Sequence, residues 1–485
     1  MKTLRIAMVE PASIDPGRLS DGPGRKVVTN MFTGLTSLDE DGNIVPGCAR
    51  SWTASADARQ WTFELQPNLR WSDGTPITAS TFIESWRRAT APTTENPMAD
   101  MFDIISGAKE RRSGSTDVSL GLSSESPTIL RIHTIRPMPD LTRRLAEAWA
   151  VPVPMHVIAA HGKKWMSPNH IVVNGPYILS EYKPDVSMTF TKNAASTVST
   201  SIERVTLFFT DNPVDAKRWF ELNKVDWADN LVPKNAIATL RQRANSPLRT
   251  TPYLGLTYVI PNTRRPTINL PFRQALNLSV DRTRLVKHIL DGSQVPLSRP
   301  IPRDLLKSAP GPGLKPALAR RILATSPTTR ASAIELSFYN GGRNPELAAA
   351  LQRGWKDTLG IDIRLRGLEW KTFLESTARG DFDLALFTLG GYDAADLLSV
   401  FSSESPNNRG SYRSTTVDKN LAAAALASTE QEHQRLLARA EATLAADVAV
   451  IALFQLTRHS IIRNELSGWR GNMRDQHPWR FLNWR

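Results

Sequence analysis

A chain of 485 residues is too long for one ordinary hydrophobic core, so the sequence predicts two or three domains. Its apolar share of 41% supports large packed interiors, and no apolar run reaches the roughly 18 residues needed to span a membrane. The formal charge of +13 comes from dispersed Lys and Arg without a zinc-finger, RNP or basic-helix pattern. We therefore expect a solvated basic surface and no nucleic-acid partner.

The sequence lacks the usual signatures of metal and catalytic sites. Its eight His residues include no pair at i,i+4, and neither HExxH, G-x-S-x-G nor a Walker A motif occurs. Cys48 is the only cysteine, which excludes an intramolecular disulfide and a thiolate zinc site. Asp381 and Asp383 could form a catalytic dyad, but a strand entry is the favoured interpretation. We predict no enzymatic activity, no cofactor and no metal.

The first elements can be taken in chain order. Residues 4–9 predict a first strand, which is followed by Asp15-Pro16. The first ten residues have no adequate hydrophobic region and no small-residue cleavage site, so they do not resemble a signal peptide. Residues 27–38 are apolar on one helical face and predict a helix before a tight turn at residues 39–43.

A strand, a turn and a helix are predicted next. Alternate residues from 61 to 65 are apolar, which predicts a strand with one buried face. Residues 72–75 (SDGT) predict a turn, because Asp can close an Asx-turn and Gly adopts positive φ. Thr78 is a predicted N-cap of a helix whose apolar face includes Phe82 and Trp86.

The rest of the chain alternates between strand and helix patterns. Strands are predicted at residues 127–133, 334–339, 361–368, 382–389 and 448–462, and helices at residues 275–290 and 345–359. The helix at 345–359 lies between two of these strands, which predicts a βαβ unit with parallel strands and an α/β fold. Gly175 is predicted to serve the geometry of the backbone.

Three motifs resemble those of one protein family. They are PGCARSW at residues 46–52, WTFEL at 61–65 and WSDGTPITASTF at 71–82. Extracytoplasmic solute-binding proteins of family 5, the oligopeptide- and dipeptide-binding components of ABC importers, have P-x-L-A-x-S-W, W-x-F-x-L-R and W-S-D-G-x-P-x-T-A-x-D-F. The sequence is identified as a member of this family, although Thr81 stands where the family usually has Asp. Weaker matches extend the resemblance from about residue 4 to the C-terminus.

The resemblance implies a fold and a domain organisation. The fold is expected to be α/β and similar to periplasmic-binding-protein type II, with two major lobes joined by a hinge and an extra lid domain. Lobe I is expected to comprise residues 1–40, 165–254 and 456–485. The lid, lobe II, is expected at residues 41–164 and lobe III at residues 255–455.

The resemblance also implies a function. The protein is expected to be the solute-binding component of an ABC importer, a monomer that captures a peptide-like ligand by hinge closure and delivers it to a membrane permease. We expect it in the periplasm or at the cell surface, on the interpretation that a signal peptide has been trimmed. The alternative is a cytoplasmic member of the same fold that acts as a ligand sensor or an enzyme.

Ligand contacts are predicted by position. In peptide-binding members an Asp takes the amino terminus of the peptide, and its position falls here on Gly391 or Tyr392, with Asp393 adjacent. The preceding strand lacks the family's Arg. A second acid is often found near Ser20, and Asp21 is the nearest candidate. The remaining predicted contacts are Met101, Trp370 and Gly390.

These departures suggest an unusual ligand. A buried ammonium needs an opposite charge, because an unpaired buried charge is costly. Either Asp393 or Asp21 takes this role, or the ligand is not an ordinary peptide with a free amino terminus. Gly390 and Gly391 leave space for a bulkier or less charged group. We therefore hypothesise a narrow specificity for a modified peptide or an amino-acid conjugate.

Overall fold

The computed structural model describes residues 2–115, 117–326, 334–391, 393–427 and 429–485. The predicted α/β class is confirmed. The strands are β1 (Thr3–Met8), β2 (Thr36–Leu38), β3 (Ile44–Pro46), β4 (Ala49–Ala54), β5 (Gln60–Leu65), β6 (Leu122–Ser126), β7 (Ile129–His133), β8 (Tyr177–Lys183), β9 (Ser187–Lys192), β10 (Arg204–Phe209), β11 (Trp227–Ala228), β12 (Leu248–Pro261), β13 (Val295–Pro296), β14 (Ile334–Tyr339), β15 (Ile363–Leu368), β16 (Leu384–Gly390), β17 (Ile451–Ile462), β18 (Leu466–Ser467) and β19 (Asn483–Trp484).

Helices alternate with these strands along much of the chain. They are α1 (Gly22–Met31), α2 (Ala79–Ala89), α3 (Ala108–Arg112), α4 (Leu141–Arg144), α5 (Met155–His161), α6 (Pro213–Glu221), α7 (Lys234–Gln242), α8 (Leu270–Leu278), α9 (Arg282–Ile289), α10 (Arg303–Leu306), α11 (Pro316–Leu323), α12 (Asn344–Leu359), α13 (Trp370–Arg379), α14 (Ala394–Ser399), α15 (Thr415–Ala425) and α16 (Glu430–Ala446). In the described part of the chain, none of them is both long and apolar enough to cross a bilayer.

The chain divides into two compact units. The first unit comprises Met1–Thr250, Leu426–Glu430 and His459–Arg485, and the second comprises Thr251–Ala425 and Gln431–Arg458. Strands β12 and β17 each contribute residues to both units. The first unit has a large hydrophobic core that includes residues of the expected lobe I and of the expected lid. The finer division into lobe I and a separate lid stays a prediction.

The first unit contains two main sheets. One has the strand order β8-β9-β10-β1-β11, followed by the end of β17, and β1 runs parallel to both β10 and β11. The other is the antiparallel sheet β4-β5-β7-β6. In β5 the side chains of Trp61, Phe63 and Leu65 are buried, whereas the residues between them are partly exposed. The predicted strand with one buried face is therefore confirmed.

Helix α2 begins where the sequence predicts. The backbone amide of Thr78 donates to Oγ1 of Thr81 at 3.0 Å, so the residue that replaces the family's Asp completes the N-terminal cap. Phe82, Ile83 and Trp86 are buried on the core side of the helix. Thr81 therefore fulfils the capping role, although the family motif usually has Asp at this position.

The second unit has the strand order β15-β14-β16-β12-β17, with β13 paired to β17. Strand β14 runs parallel to both β15 and β16, and α12 connects β14 to β15. The predicted βαβ unit is confirmed. Its core is formed by apolar side chains of the strands and of α8, α9 and α12.

Two helix predictions are wrong in extent. The helix predicted at residues 27–38 begins earlier, after the Asp21 cap, and ends at Met31, where Phe32 adopts extended geometry. The apolar pattern of the sequence continues beyond the end of the helix, because Phe32 and Leu35 are buried in the same core as the helix. The helix predicted at residues 275–290 is two helices, because Asp281 caps α9 by accepting the amide of Arg284 at 2.9 Å.

Gly175 serves close packing of the backbone. A Cβ at this position would lie 2.5 Å from the carbonyl carbon and oxygen of Met31. The amide of Gly175 donates to that same oxygen at 2.8 Å. The sequence correctly indicates a backbone role, and the structure shows that it is a matter of space and not of left-handed φ.

Cys48 is expected to resist thiol reagents in the folded protein. Burial raises the pKa of its thiol to about 12, against the weaker effect of a hydrogen bond from Asn174. Folding therefore favours the protonated thiol, and this contribution to stability declines as pH rises from about 8.5, the ordinary thiol pKa. Labelling with Ellman's reagent at pH 8 should be on the order of a hundredfold slower than in guanidinium chloride. Rapid stoichiometric labelling of the native protein would contradict the buried position.

Candidate ligand-binding site

A buried ion pair joins the segment after β1 to helix α2 in the first unit. Arg88 donates to both carboxylate oxygens of Asp15, at 3.0 and 2.7 Å, and the indole of Trp165 donates to Oδ2 at 3.1 Å. Asp15 also accepts the amide of Gly17 at 2.8 Å. A Cβ on Gly17 would lie 2.5 Å from a guanidinium nitrogen of Arg88, so glycine is needed beside the pair.

A pocket of about 550 Å³ opens beside this ion pair. Its lining includes the exposed side chains of Lys163 and Lys164 and the buried ring of Trp165. Because Arg88 is paired with Asp15, and Arg18, which also lines the pocket, is paired with Glu95, the two lysines provide the unbalanced charge of the pocket. Such a pocket can hold the carboxylate of a small ligand against an apolar wall. This pocket was not predicted, because Asp15-Pro16 is the only motif of the sequence in this region.

Ser20 and Asp21 follow a few positions after Asp15, which lines this pocket. Ser20 is exposed, whereas Asp21 is the N-cap of α1. One carboxylate oxygen of Asp21 accepts the amide of Gly24 and the other accepts the amide of Ala12, both at 2.7 Å. The carboxylate of Asp21 therefore already stabilises a helix terminus, and any contact with a ligand would be additional.

Met101 has a different setting in the first unit. It lies in the short 3₁₀ helix Ala99–Ile104, is half-buried and packs against the hydrophobic core. Only its exposed part is available to a ligand.

The second unit presents an aromatic surface at the start of α13. The side chain of Trp370 is 47% exposed. Glu369, which precedes it, caps the helix by accepting the backbone amide of Lys371 at 2.8 Å. The ring of Trp370 lies edge-on to Tyr339, with 5.2 Å between centroids, and packs near Phe373. An exposed tryptophan held by two aromatic neighbours suits the apolar part of a ligand. Tyr339 was not among the predicted contacts.

The end of β16 holds the predicted glycines. Gly390 is the last residue of the strand, and a Cβ there would approach only the carbonyl oxygen of Leu254, at 3.7 Å. Gly391 is more constrained, because its Cβ would lie 2.8 Å from Cγ of Leu397. Its amide donates to the oxygen of Leu254 at 3.3 Å. Space for a ligand group is thus available at Gly390, whereas Gly391 is required by the packing of α14.

Asp393 directly follows this segment, and Tyr392 lies outside the described residues. Asp393 is the N-cap of α14, and its Oδ1 accepts the amide of Asp396 at 2.9 Å. Both acids predicted to replace the family's Asp are therefore helix caps. Within the described ranges, no group of three His, Cys, Asp or Glu is placed to hold a metal ion.

Most of the chain is similar to known proteins. Residues 43–409 match the family model of bacterial extracellular solute-binding proteins, family 5 Middle. The chain is 28% identical over 95% of its length to the periplasmic murein peptide-binding protein MppA of Escherichia coli, of which it covers 88%. It is also 28% identical to the probable deoxycholate-binding periplasmic protein YgiS of Escherichia coli, with 95% of this chain and 89% of that protein covered.

A solved structure supports the same relationship. The structure of the periplasmic murein tripeptide-binding protein MppA in its unliganded open form matches with a TM-score of 0.93 and 27% identity, and the match covers 100% of this chain and 97% of that one. The expected type II periplasmic-binding-protein fold is confirmed. Because the family model matches most of the chain, this protein belongs to the bacterial extracellular solute-binding proteins of family 5.

Proposed function

We propose that the protein is the periplasmic solute-binding component of an ABC importer and that it delivers a peptide-like ligand to a membrane permease. The observation that carries this proposal is the near full-length similarity to MppA, in both sequence and structure. Capture follows by closure of the protein around the ligand, as the family resemblance implies. Binding requires no bond to be broken, so we propose a carrier, working as a monomer, without enzymatic activity.

We propose further that the ligand is a modified peptide of the murein type. The proposal is supported by the glycine Gly391 in the region of the family's ammonium-binding Asp, and by the engagement of Asp393 in a helix cap. In the same unit the exposed ring of Trp370 offers an apolar contact, and Gly390 leaves space beside the end of β16. A ligand with a bulkier or less charged group fits these features better than an unmodified peptide does.

Calorimetry with a panel of ligands tests this specificity. We expect a murein tripeptide to bind at least tenfold more tightly than a mixed pool of unmodified peptides of two to five residues, a difference of about 1.4 kcal/mol. Asp393→Asn and Asp21→Asn should leave murein tripeptide affinity within about threefold, because both carboxylates already accept backbone amides as helix caps. Tight binding of the whole unmodified pool, unchanged in both variants, would refute the proposed specificity.

A bile acid is the second candidate ligand, because YgiS matches this chain as well as MppA does. Deoxycholate carries one carboxylate and no amine, so it would need no ammonium partner of the kind that Asp provides in the family. Deoxycholate therefore belongs in the same calorimetric panel. If it binds at least tenfold more tightly than the murein tripeptide, the peptide proposal is replaced while the carrier function stands.

A further inference from the structure

A second pocket lies entirely within the second unit. It has a volume of about 440 Å³ and is bordered by α9, α12 and the residues that precede α11. Its floor is apolar and includes the buried side chains of Leu285, Leu351 and Trp355. Small-molecule sites typically measure about 300–1,000 Å³, so the pocket is large enough for a ligand. None of the described residues predicted to contact the transported ligand lines it.

A glycine inside α12 lines this pocket. Gly354 lines the pocket and lies in the interior of the helix Asn344–Leu359, where glycine is less stable than alanine. A Cβ at Gly354 would meet no atom within 4 Å, so close packing does not require the glycine. The helix therefore gives up stability at a position that lines the pocket and has free space beside it.

The rim of the pocket carries two arginines and a histidine. Arg284 and His288 lie one turn apart on α9, and Arg353 faces the pocket from α12. All three side chains are exposed, and among the described residues none of them forms an ion pair or a side-chain hydrogen bond. Two acids, Asp281 and Asp357, also line the pocket.

The availability of the two arginines favours an anion. One oxygen of Asp281 is engaged by the amide of Arg284 at 2.9 Å, as the cap of α9. Asp357 is exposed and lies one turn after Arg353 on the same helix. The lining thus contains two guanidinium groups that form no ion pair among the described residues and two carboxylates, of which that of Asp281 is held in the cap of α9. Arginine guanidinium groups bind carboxylates through paired hydrogen bonds.

We propose that this pocket is a second ligand site, separate from the transport site, which binds a small amphipathic anion. The apolar body of the ligand packs on Leu285, Leu351 and Trp355, and its acidic head group is held by Arg284 and Arg353. The arrangement matches the usual composition of small-molecule sites, which are mainly apolar with a few convergent polar groups.

Titration with decanoate and with decylammonium tests the charge preference. We expect decanoate to bind at least about tenfold more tightly than the cation of the same length. The double variant Arg284→Gln/Arg353→Gln should weaken decanoate binding by about tenfold or more. The matched control is Lys287→Gln/Lys356→Gln, which removes two charges from the same helices but from residues outside the pocket, and it should change the affinity by less than about twofold.

Filling the pocket tests its location. Gly354→Trp should abolish decanoate binding, whereas Gly354→Ala should retain it and raise the melting temperature. Circular dichroism of both variants tests whether they are folded. No decanoate binding by the unaltered protein, tighter binding of decylammonium, full binding by Gly354→Trp, or equal losses in the lysine and arginine variants would each overturn the proposal.

Discussion

Replacement of Lys26 with alanine is expected to lower the free energy of unfolding of the first unit by about 3–5 kcal/mol, because it leaves buried carboxylates without their counter-charge. Nζ of Lys26 lies 2.7 Å from Oδ2 of Asp229 and 2.7 Å from Oδ2 of Asp475. The side chains of all three are buried, and Asn230 and His477 contact Asp475 at 2.7 and 3.2 Å. This cluster joins α1 to the C-terminal segment.

The two carboxylates respond differently to burial. Burial raises the pKa of Asp229, and one of its oxygens is buried without a hydrogen-bond donor among the described residues. Burial also opposes ionisation of Asp475, but the charges of Lys26 and His477 hold its pKa below the ordinary value. Asp475 therefore contributes stability above about pH 3.9, the ordinary Asp pKa, and this contribution is lost as pH falls further.

Urea unfolding monitored by tryptophan fluorescence measures the effect of Lys26→Ala. The matched control is Lys217→Ala, which breaks an exposed i,i+4 pair with Glu221 and should cost no more than about 0.5 kcal/mol. The triple variant Lys26→Met/Asp229→Asn/Asp475→Asn removes all three charges and should recover much of the loss. A cost below about 1 kcal/mol for Lys26→Ala would show that the carboxylates are hydrated and not buried.

Replacement of Arg299 with alanine is expected to have an effect of the same size in the second unit. Glu441 on α16 is fully buried, and Nε of Arg299 donates to its Oε1 at 2.8 Å, with a second contact between the guanidinium and Oε2. Loss of the guanidinium leaves a carboxylate in the core, at a cost of about 3–5 kcal/mol. Chemical denaturation of the variant measures this loss.

The control for Arg299 lies on the same helix. Arg435 pairs with Glu432 at the surface of α16, with both side chains more than 40% exposed. Arg435→Ala should therefore change the free energy of unfolding by no more than about 0.5 kcal/mol. Equal effects of Arg299→Ala and Arg435→Ala would contradict the buried ion pair.

Local pattern was enough to predict many elements of the fold. Strand β5, helix α2 and the β14–α12–β15 unit have regular apolar periodicity and end at caps or turns, so their sequences carry the information within a few residues. Periodicity failed at the end of α1 and between α8 and α9, because buried residues beyond a helix end continue the same apolar face. Asp281 is itself a sequence signal for the start of a second helix within this apolar pattern.

Long-range polar contacts could not be predicted from local pattern. Asp15 and Arg88 are 73 positions apart, and Lys26 and Asp229 are 203 apart. No periodic signal joins such residues, since only the completed fold brings them together. The same reason explains why the lysine-lined pocket was missed. Asp21 was predicted as a ligand contact, although the Gly22-Pro23 that follows it is also typical of a helix start.

The most direct test of the carrier function is to measure the molecular mass of the ligand before and after binding. The protein is saturated with murein tripeptide, freed of excess ligand by gel filtration, incubated for hours and then denatured, and the released molecule is measured by mass spectrometry. We predict one equivalent of ligand per chain with an unchanged mass, because a carrier returns its ligand intact. A released molecule of altered mass, or a stoichiometric loss of the tripeptide to fragments, would contradict the account.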